Sequence, residues 1–317
     1  AQGQRWDVVA QTFRIYSLEY PNDPYAATAA KQVGDALYKQ GKYADAQLQW
    51  DSAAATARAT GRKAFADSIN GVQQGAASSY ADSLIKAGAY DKAAKEVYIA
   101  LADKNPSSEK APDALRNAIE TYMLADSSAR AKGDQNASQD ARVQAANLSN
   151  RLITEYPLYR YRLQYQTLHA DLLEEIGQGD QSVTALRQII ADNPSWRGRA
   201  DAEIKVAVRL DSLGKGKDAA AAYQQFANDY KQDPRAADAL YNAAVTYVQA
   251  RDTLAGAAAY GTFVDRFPKD SRAAEARVYR VQLLRAGGDN TTADQDLNRL
   301  CSLCLLYTSP IPRDRQK

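Results

Sequence analysis

Both cysteines of this 317-residue chain lie in one short tail, "CSLCLLYTSPIPRDRQK", where Cys301 and Cys304 form a C-x-x-C pair. That spacing serves thioredoxin-like redox chemistry or supplies two of the four ligands of a structural zinc site. The chain offers no further cysteine to complete a zinc set and no strand-like segment before the pair. His169 is the sole histidine, and Glu174 and Glu175 stand a turn or more away along a helix. A dyad or a metal site would need partners that its helix neighbours hardly supply, so His169 is expected at a partly buried packing position.

Two further stretches have the composition of binding motifs. "GKGKDA", residues 214–219, satisfies G-x-G-x-x-A, yet a dinucleotide fingerprint requires a preceding strand. The preceding "AEIKVAVRLDSL" reads as a helix, so a helix-to-helix turn is expected, with Lys215 and Lys217 solvating it. "YPLYRYRLQYQ", residues 156–166, interleaves tyrosines with Arg160 and Arg162. Such a surface can stack bases, but nucleic-acid affinity needs several phosphate contacts. With 40 basic against 38 acidic residues, the chain as a whole has no such attraction. No serine-hydrolase elbow, zincin, Walker or calcium-loop spacing is present. The sequence therefore gives no catalytic residue, no cofactor site and no metal site, and the protein is expected not to be an enzyme.

The elements that would position any site come from an internal repeat. "TEYP", "ADNP", "NDYK" and "DRFP" end at Pro157, Pro194, Lys231 and Pro268, each 37 residues after the last. Pro21 and Pro106 close similar phrases at irregular spacing. Thirteen residues after such an anchor come Gly34, Ala170, Ala207, Ala244 and Val281, and sixteen after it Leu37, Leu173, Leu210, Tyr247 and Leu284. Twenty after it stand Gly41, Gly177, Gly214, Arg251 and Gly288. At twenty-five the column is small again (Ala46, Ser182, Ala219, Gly256, Ala293), and at twenty-nine large (Trp50, Leu186, Tyr223, Tyr260, Leu297). Small residues let two helices approach, large ones fill the space around the crossing, and a left-handed glycine ends the first helix. No single hairpin buries its own apolar face, so neighbouring hairpins must supply the core.

These columns resemble the tetratricopeptide repeat family, whose spacing Gly34, Leu37, Ala46 and Trp50 meet, as nearly do Ala244, Tyr247, Gly256 and Tyr260. The usual period is about 34 residues, so longer turns are expected here. The resemblance implies an all-α, right-handed α–α superhelix of stacked hairpins over residues 1–302. Its repeats are 1–21 (a second helix alone), 22–61, 62–106, 107–157, 158–194, 195–231, 232–268 and 269–302. "AKGDQNASQD" is expected to form an enlarged polar turn in the fourth.

The resemblance further implies a concave face lined by first helices, and hence a protein or peptide partner. Positions carried over to that face are Lys31, Tyr38, Asp171, Ile204, Val208, Asp238, Tyr241, Val245 and Val248, five of them an apolar strip edged by aspartates. A clamp for a carboxylate terminus is not expected, because only Lys31 matches its pattern. "AAAYQQFANDYKQDPRAADALYNAAVTYV", residues 220–248, is similar to repeats of bacterial envelope proteins, namely an outer-membrane assembly lipoprotein and a Tol-Pal-associated coordinator. That similarity implies a periplasmic scaffold; the alternative is a sensor or regulatory region of a longer enzyme. No segment is apolar enough to cross a membrane, so a membrane anchor would have to lie upstream of Ala1.

The repeat frame also bears on the tail. Its next anchor falls at residue 305, but the chain there reads "SLCLLYTSPIP", and the pattern breaks between Leu300 and Cys304. "CLLYTSPIPRD" resembles the translation of a transposase adapter used in sequencing libraries. Residues 303–317 are therefore expected to be non-native, and the natural chain longer.

Overall fold

The computed structural model describes the backbone of residues 2–308 and the side chains of residues 5–301. These residues are all-helical, with no strand among them, and successive helices pack as consecutive pairs. They form two compact units that divide between Tyr156 and Pro157.

The first unit holds α1 (Gln2–Glu19), α2 (Ala26–Lys39), α3 (Tyr43–Ala59) and α4 (Lys63–Lys86). A composite helix comes next, made of α5 (Tyr90–Lys92), a π-helical stretch Ala93–Ile99 and α6 (Ala100–Lys104). The unit closes with α7 (Ala111–Lys132) and α8 (Gln135–Glu155). The second unit holds α9 (Arg162–Glu175), α10 (Gly179–Asp192), α11 (Arg199–Ser212), α12 (Gly216–Asp229), α13 (Ala236–Gln249), α14 (Thr253–Arg266), α15 (Ala273–Ala286) and α16 (Asn290–Thr308).

The columns of the repeat become the helix crossings. Gly34, Ala170, Ala207, Ala244 and Val281 are buried, and so are Ala46, Ser182, Ala219, Gly256 and Ala293. A methyl group on Gly34 would stand 2.5 Å from the Trp50 ring, so the largest side chain in its column requires the smallest opposite it. Trp50, Leu186, Tyr223 and Tyr260 fill the space beside the crossings, whereas Leu297 is partly exposed. The alanine-rich composition thus serves helix propensity and close approach at once.

Each hairpin turn uses a left-handed residue. Gly41, Gly88, Gly133, Gly177, Gly214 and Gly288 have φ between 70° and 86°, and Arg251, where the glycine column fails, still adopts φ 61°. The amide after it, on Asp252, donates to Tyr247 O at 2.8 Å, the same closure that Lys215 N makes with Leu210 O at 2.9 Å. Tertiary packing therefore imposes the left-handed conformation even on a residue that resists it.

Between repeats, the α3–α4 turn again closes with a left-handed glycine, Gly61 at φ 76°, but the turns at Asp23, Asp233 and Asp270 have a different chemistry. Asp233 Oδ1 accepts the Arg235 backbone N–H and its Nε–H, both at 2.9 Å, and Asp270 does the same for Arg272. Hydrogen bonds from these arginines hold both carboxyls down at about 2. Asp23 makes the backbone half of the motif, accepting from Tyr25 N at 2.7 Å.

One expectation is corrected. Residues 131–140 do not form an enlarged turn: α7 and α8 run to Lys132 and from Gln135, leaving only Gly133 and Asp134 between them. The insertion lengthens the helices instead, to 22 and 21 residues against the 14 of α9. Ala, Gln and Lys favour helix, Gly133 closes α7 at φ 74°, and the Asp134 side chain caps α8 by accepting from Ala137 N at 3.0 Å. At about 3.6 residues per turn, the added length is close to two turns, which keeps the inward faces aligned.

The added turns enclose a charge. Asp126, 1% exposed, accepts from Ser138 Oγ at 2.5 Å and from Arg142 Nε at 3.0 Å, and pairs with Arg130. Burial alone would raise its carboxyl, but the hydrogen bonds from Arg130 and Ser138 and the two guanidinium charges hold it below the usual range. Ser138 comes after its left-handed glycine at the same distance as Ser182, which bonds Ala170 O in the second unit. An ionic crossing thus replaces the alanine crossing used elsewhere.

Candidate partner-binding face

In the second unit the first helices of successive hairpins are α9, α11, α13 and α15. Their exposed sides carry Ile204, Val208, Tyr241, Val245 and Val248, the strip expected from the repeat register. Val208 is 48% exposed, and the other four are half-buried against the core beneath them. Tyr241 sits edge-on to Tyr260 and Phe263, with ring centroids at 5.7 and 5.4 Å. Arg272 lies over its ring at 4.8 Å. The register did not draw attention to Val278 and Tyr279 of α15, which are 39% and 40% exposed. A shallow cleft of about 330 Å³ opens beside Ile204, bounded by Thr167, Trp196, Asp201, Lys205 and Arg235.

The aspartates at the edge of this strip are not free acceptors. Asp238 pairs with Arg272 of the next repeat at 2.8 Å, and Asp201 with Arg235 at 2.6 Å. Asp171 takes Lys205 at 2.8 Å and the buried Arg209 at 2.5 Å. These three carboxylates therefore tie one repeat to the next. The arginines were missed because their partners lie 34 to 38 residues away in sequence. A signal for them existed, since Asp201 and Asp238 stand one period apart, as do Arg235 and Arg272.

Lys31 and Tyr38 belong to the first unit, whereas the strip belongs to the second. Both line a cleft of about 460 Å³ with Trp6, Trp50 and Val72. Lys31 Nζ is committed to Asp35 at 2.6 Å, and Asp35 also accepts from Trp50 Nε1 at 2.9 Å. Tyr38 is half-buried, its ring 5.8 Å from that of Trp50.

The remaining chemical motifs resolve into architecture. His169 is half-buried on α9. "GKGKDA" is the turn between α11 and α12, with helix rather than strand before it. Its lysines do more than solvate the turn: Lys215 pairs with Asp180 at 2.6 Å and Lys217 lies 3.6 Å from Asp252, each reaching an adjacent hairpin turn. Cys301 is an exposed free thiol. The Cys304 side chain and residues 309–317 lie outside the described residues, so the reading of residues 303–317 as non-native falls largely there. Among the described residues no group of three His, Cys, Asp or Glu could hold a metal ion, and no helix is long and apolar enough to cross a membrane.

Paired helices of matched length, joined by left-handed turns and stacked through small-residue crossings, define a helical-hairpin repeat protein. Residues 238–270, covering most of α13 and all of α14, match the tetratricopeptide repeat family. Repeats of this kind generally serve as non-catalytic interaction scaffolds. No curated protein matches the chain. Solved structures similar to it include BtubC from P. vanneervenii, at 15% identity and TM-score 0.37, covering 72% of this chain and 93% of that one. A tetratricopeptide repeat protein from Parabacteroides merdae is 16% identical with TM-score 0.37, covering 62% and 68%. MamA from Desulfovibrio magneticus RS-1 is 13% identical with TM-score 0.36, covering 61% and 97%.

Proposed function

We propose that the second unit binds a protein or peptide along the exposed sides of α11, α13 and α15, and that the chain acts as a non-catalytic scaffold. The observation that carries this reading is the apolar strip from Val208 through Tyr241 and Val245 to Val278, with Asp201 and Asp238 beside it already engaged by arginines. An exposed apolar strip suits the nonpolar side of an amphipathic helix or an extended peptide.

Crosslinking and pull-down from a native extract test the reading. Val208→Asp and Val278→Asp should each lose the captured partner while helical circular dichroism stays unchanged. Capture that is indifferent to both substitutions overturns it.

The setting we infer is the bacterial cell envelope. The support is the likeness of residues 220–248 to repeats of envelope assembly proteins. Fractionation of cells of the source organism with an antibody to the chain tests this, and recovery in the cytosol alone overturns it.

A further inference from the structure

The junction between α10 and α11 departs from the pattern of the two junctions after it. The turns before α13 and α15 carry Asp233 with Arg235 and Asp270 with Arg272. Each arginine reaches back to an aspartate near the start of the preceding first helix, Asp201 or Asp238. One period earlier the same places hold Trp196 and Gly198, and Gln164 stands where the aspartate would be. Both ends of the tie are therefore replaced together. The link from α9 to α11 is made further along the helix instead, by Asp171 with Lys205 and Arg209.

The replacement opens a space. Arg272 lies over the Tyr241 ring at 4.8 Å and so covers that position of the preceding first helix. Gly198 has no side chain to do the same, and the residue in Tyr241's column is the small Thr167. The cleft of about 330 Å³ beside Ile204 lies there, with Thr167, Trp196 and Gly198 all in its lining. Gly198 has φ −82°, which any residue adopts, so its backbone does not call for glycine. A methyl group there would instead stand 2.4 Å from the Trp196 ring. The glycine lets that half-buried ring lie against the turn and form a wall of the cleft.

The lining also selects what enters. Lys205 lies 2.8 Å from Asp171, and Arg235 lies 2.6 Å from Asp201 and 2.7 Å from Asp233. A basic side chain would meet two cations, and an acidic one would compete with carboxylates already in place. An uncharged ring packs against an indole, offset or edge-on, without either cost. The space is near the lower limit of ligand pockets, roughly 300 Å³, so it holds one side chain.

We propose that this cleft is the anchor pocket of the second unit's peptide-binding face, taking one aromatic side chain of the bound peptide against Trp196. The proposal rests on the reading of the strip from Val208 to Val278 as that face, and adds which residue the partner must present. Tryptophan is among the residue types on which interface energy concentrates.

Selection of displayed random peptides on the full chain tests this. Peptides retained by wild type and lost with Val208→Asp should share an aromatic residue at one position. Replacing that residue by alanine should weaken binding about tenfold or more, as should Trp196→Ala, and the two changes together should cost little more than either. Thr167→Tyr supplies from α9 the ring that Tyr241 supplies two periods on. It should block the pocket to the same degree with the melting temperature unchanged, and it remains informative if Trp196→Ala disturbs the fold. Peptides that need Val208 but share no aromatic residue, share a charged one instead, or ignore both Trp196→Ala and Thr167→Tyr overturn the pocket and leave the strip standing. If no selected peptide depends on Val208, the strip itself fails and the pocket with it.

Discussion

The two units use the same hairpin in different ways. In the second, seven helices from α9 to α15 have 14 residues each, and first helices begin at 162, 199, 236 and 273. In the first, α2 keeps 14 residues while α3, α4, α7 and α8 run to 17, 24, 22 and 21. The lengthening of α7 and α8 amounts to about two whole turns, so the faces they bury keep their direction. The composite helix from Tyr90 to Lys104 is one residue longer than 14 and contains the π-helical stretch. A π turn takes in the odd residue without rotating the remainder of the helix. In these three helices the array takes up extra length either as whole turns or in a local defect.

Deletions give the sharpest break of this comparison. Removing Gln225 from α12 should rotate the helix remainder by about 100° and turn buried Phe226 and Ala227 out of the core. Thermal melting should show loss of most of the second unit's stability. Removing the exposed Glu96 from the π-helical stretch should instead leave an ordinary 14-residue helix and change the melting temperature little. Equal damage from both deletions would refute the idea that the π turn is an absorber.

Next in size is the ionic crossing. Asp126→Ala leaves Arg142, 18% exposed, without its carboxylate, and should cost about 3 kcal/mol. Half-exposed Arg130 recovers water and keeps the loss at the lower end of that class. Hydrogen exchange should show the loss in α7 and α8 and spare the second unit.

Acid should reach the inter-repeat turns later than ordinary carboxylates. Asp233 and Asp270 titrate at about 2 in the folded chain, below the usual carboxylate near 3.9. Their contribution is therefore fully present above about pH 4 and is lost as pH falls toward 2. The melting temperature should drop across that window, and Asp233→Asn with Asp270→Asn should flatten that part of the drop.

The smallest expected effect is a gain. Arg251→Gly relieves a side chain held at φ 61° and should stabilise the second unit by about 1 kcal/mol in denaturant titration. The same change brings the one irregular turn into line with the others.

The hairpins were legible from sequence because their constraints fall on residue type. A crossing accepts only small side chains, a left-handed turn prefers glycine, and both recur in columns such as Ala207–Ala219 and Gly214. Helix length in the first unit was not legible in the same way. The segment from Ala131 to Asp140 is polar whether it forms a turn or the solvated tip of two helices, and only Gly133 and the capping Asp134 distinguish them. The face of Tyr241 and Val245 came from helical periodicity, which gives direction. It could not reveal that Asp238 and Asp171 are already engaged, because periodicity within one helix says nothing about the cation the next repeat brings.

The pairs between successive repeats have a consequence for how such a chain grows. Within residues 232–268, Arg235 reaches back to Asp201, and Asp238 is reached from ahead by Arg272. A tandem duplication of that segment would give the first copy's aspartate to the second copy's arginine and leave both outer pairs in place. Lengthening the gene by whole repeats therefore creates each new bond together with the repeat that needs it, and no compensating mutation is required.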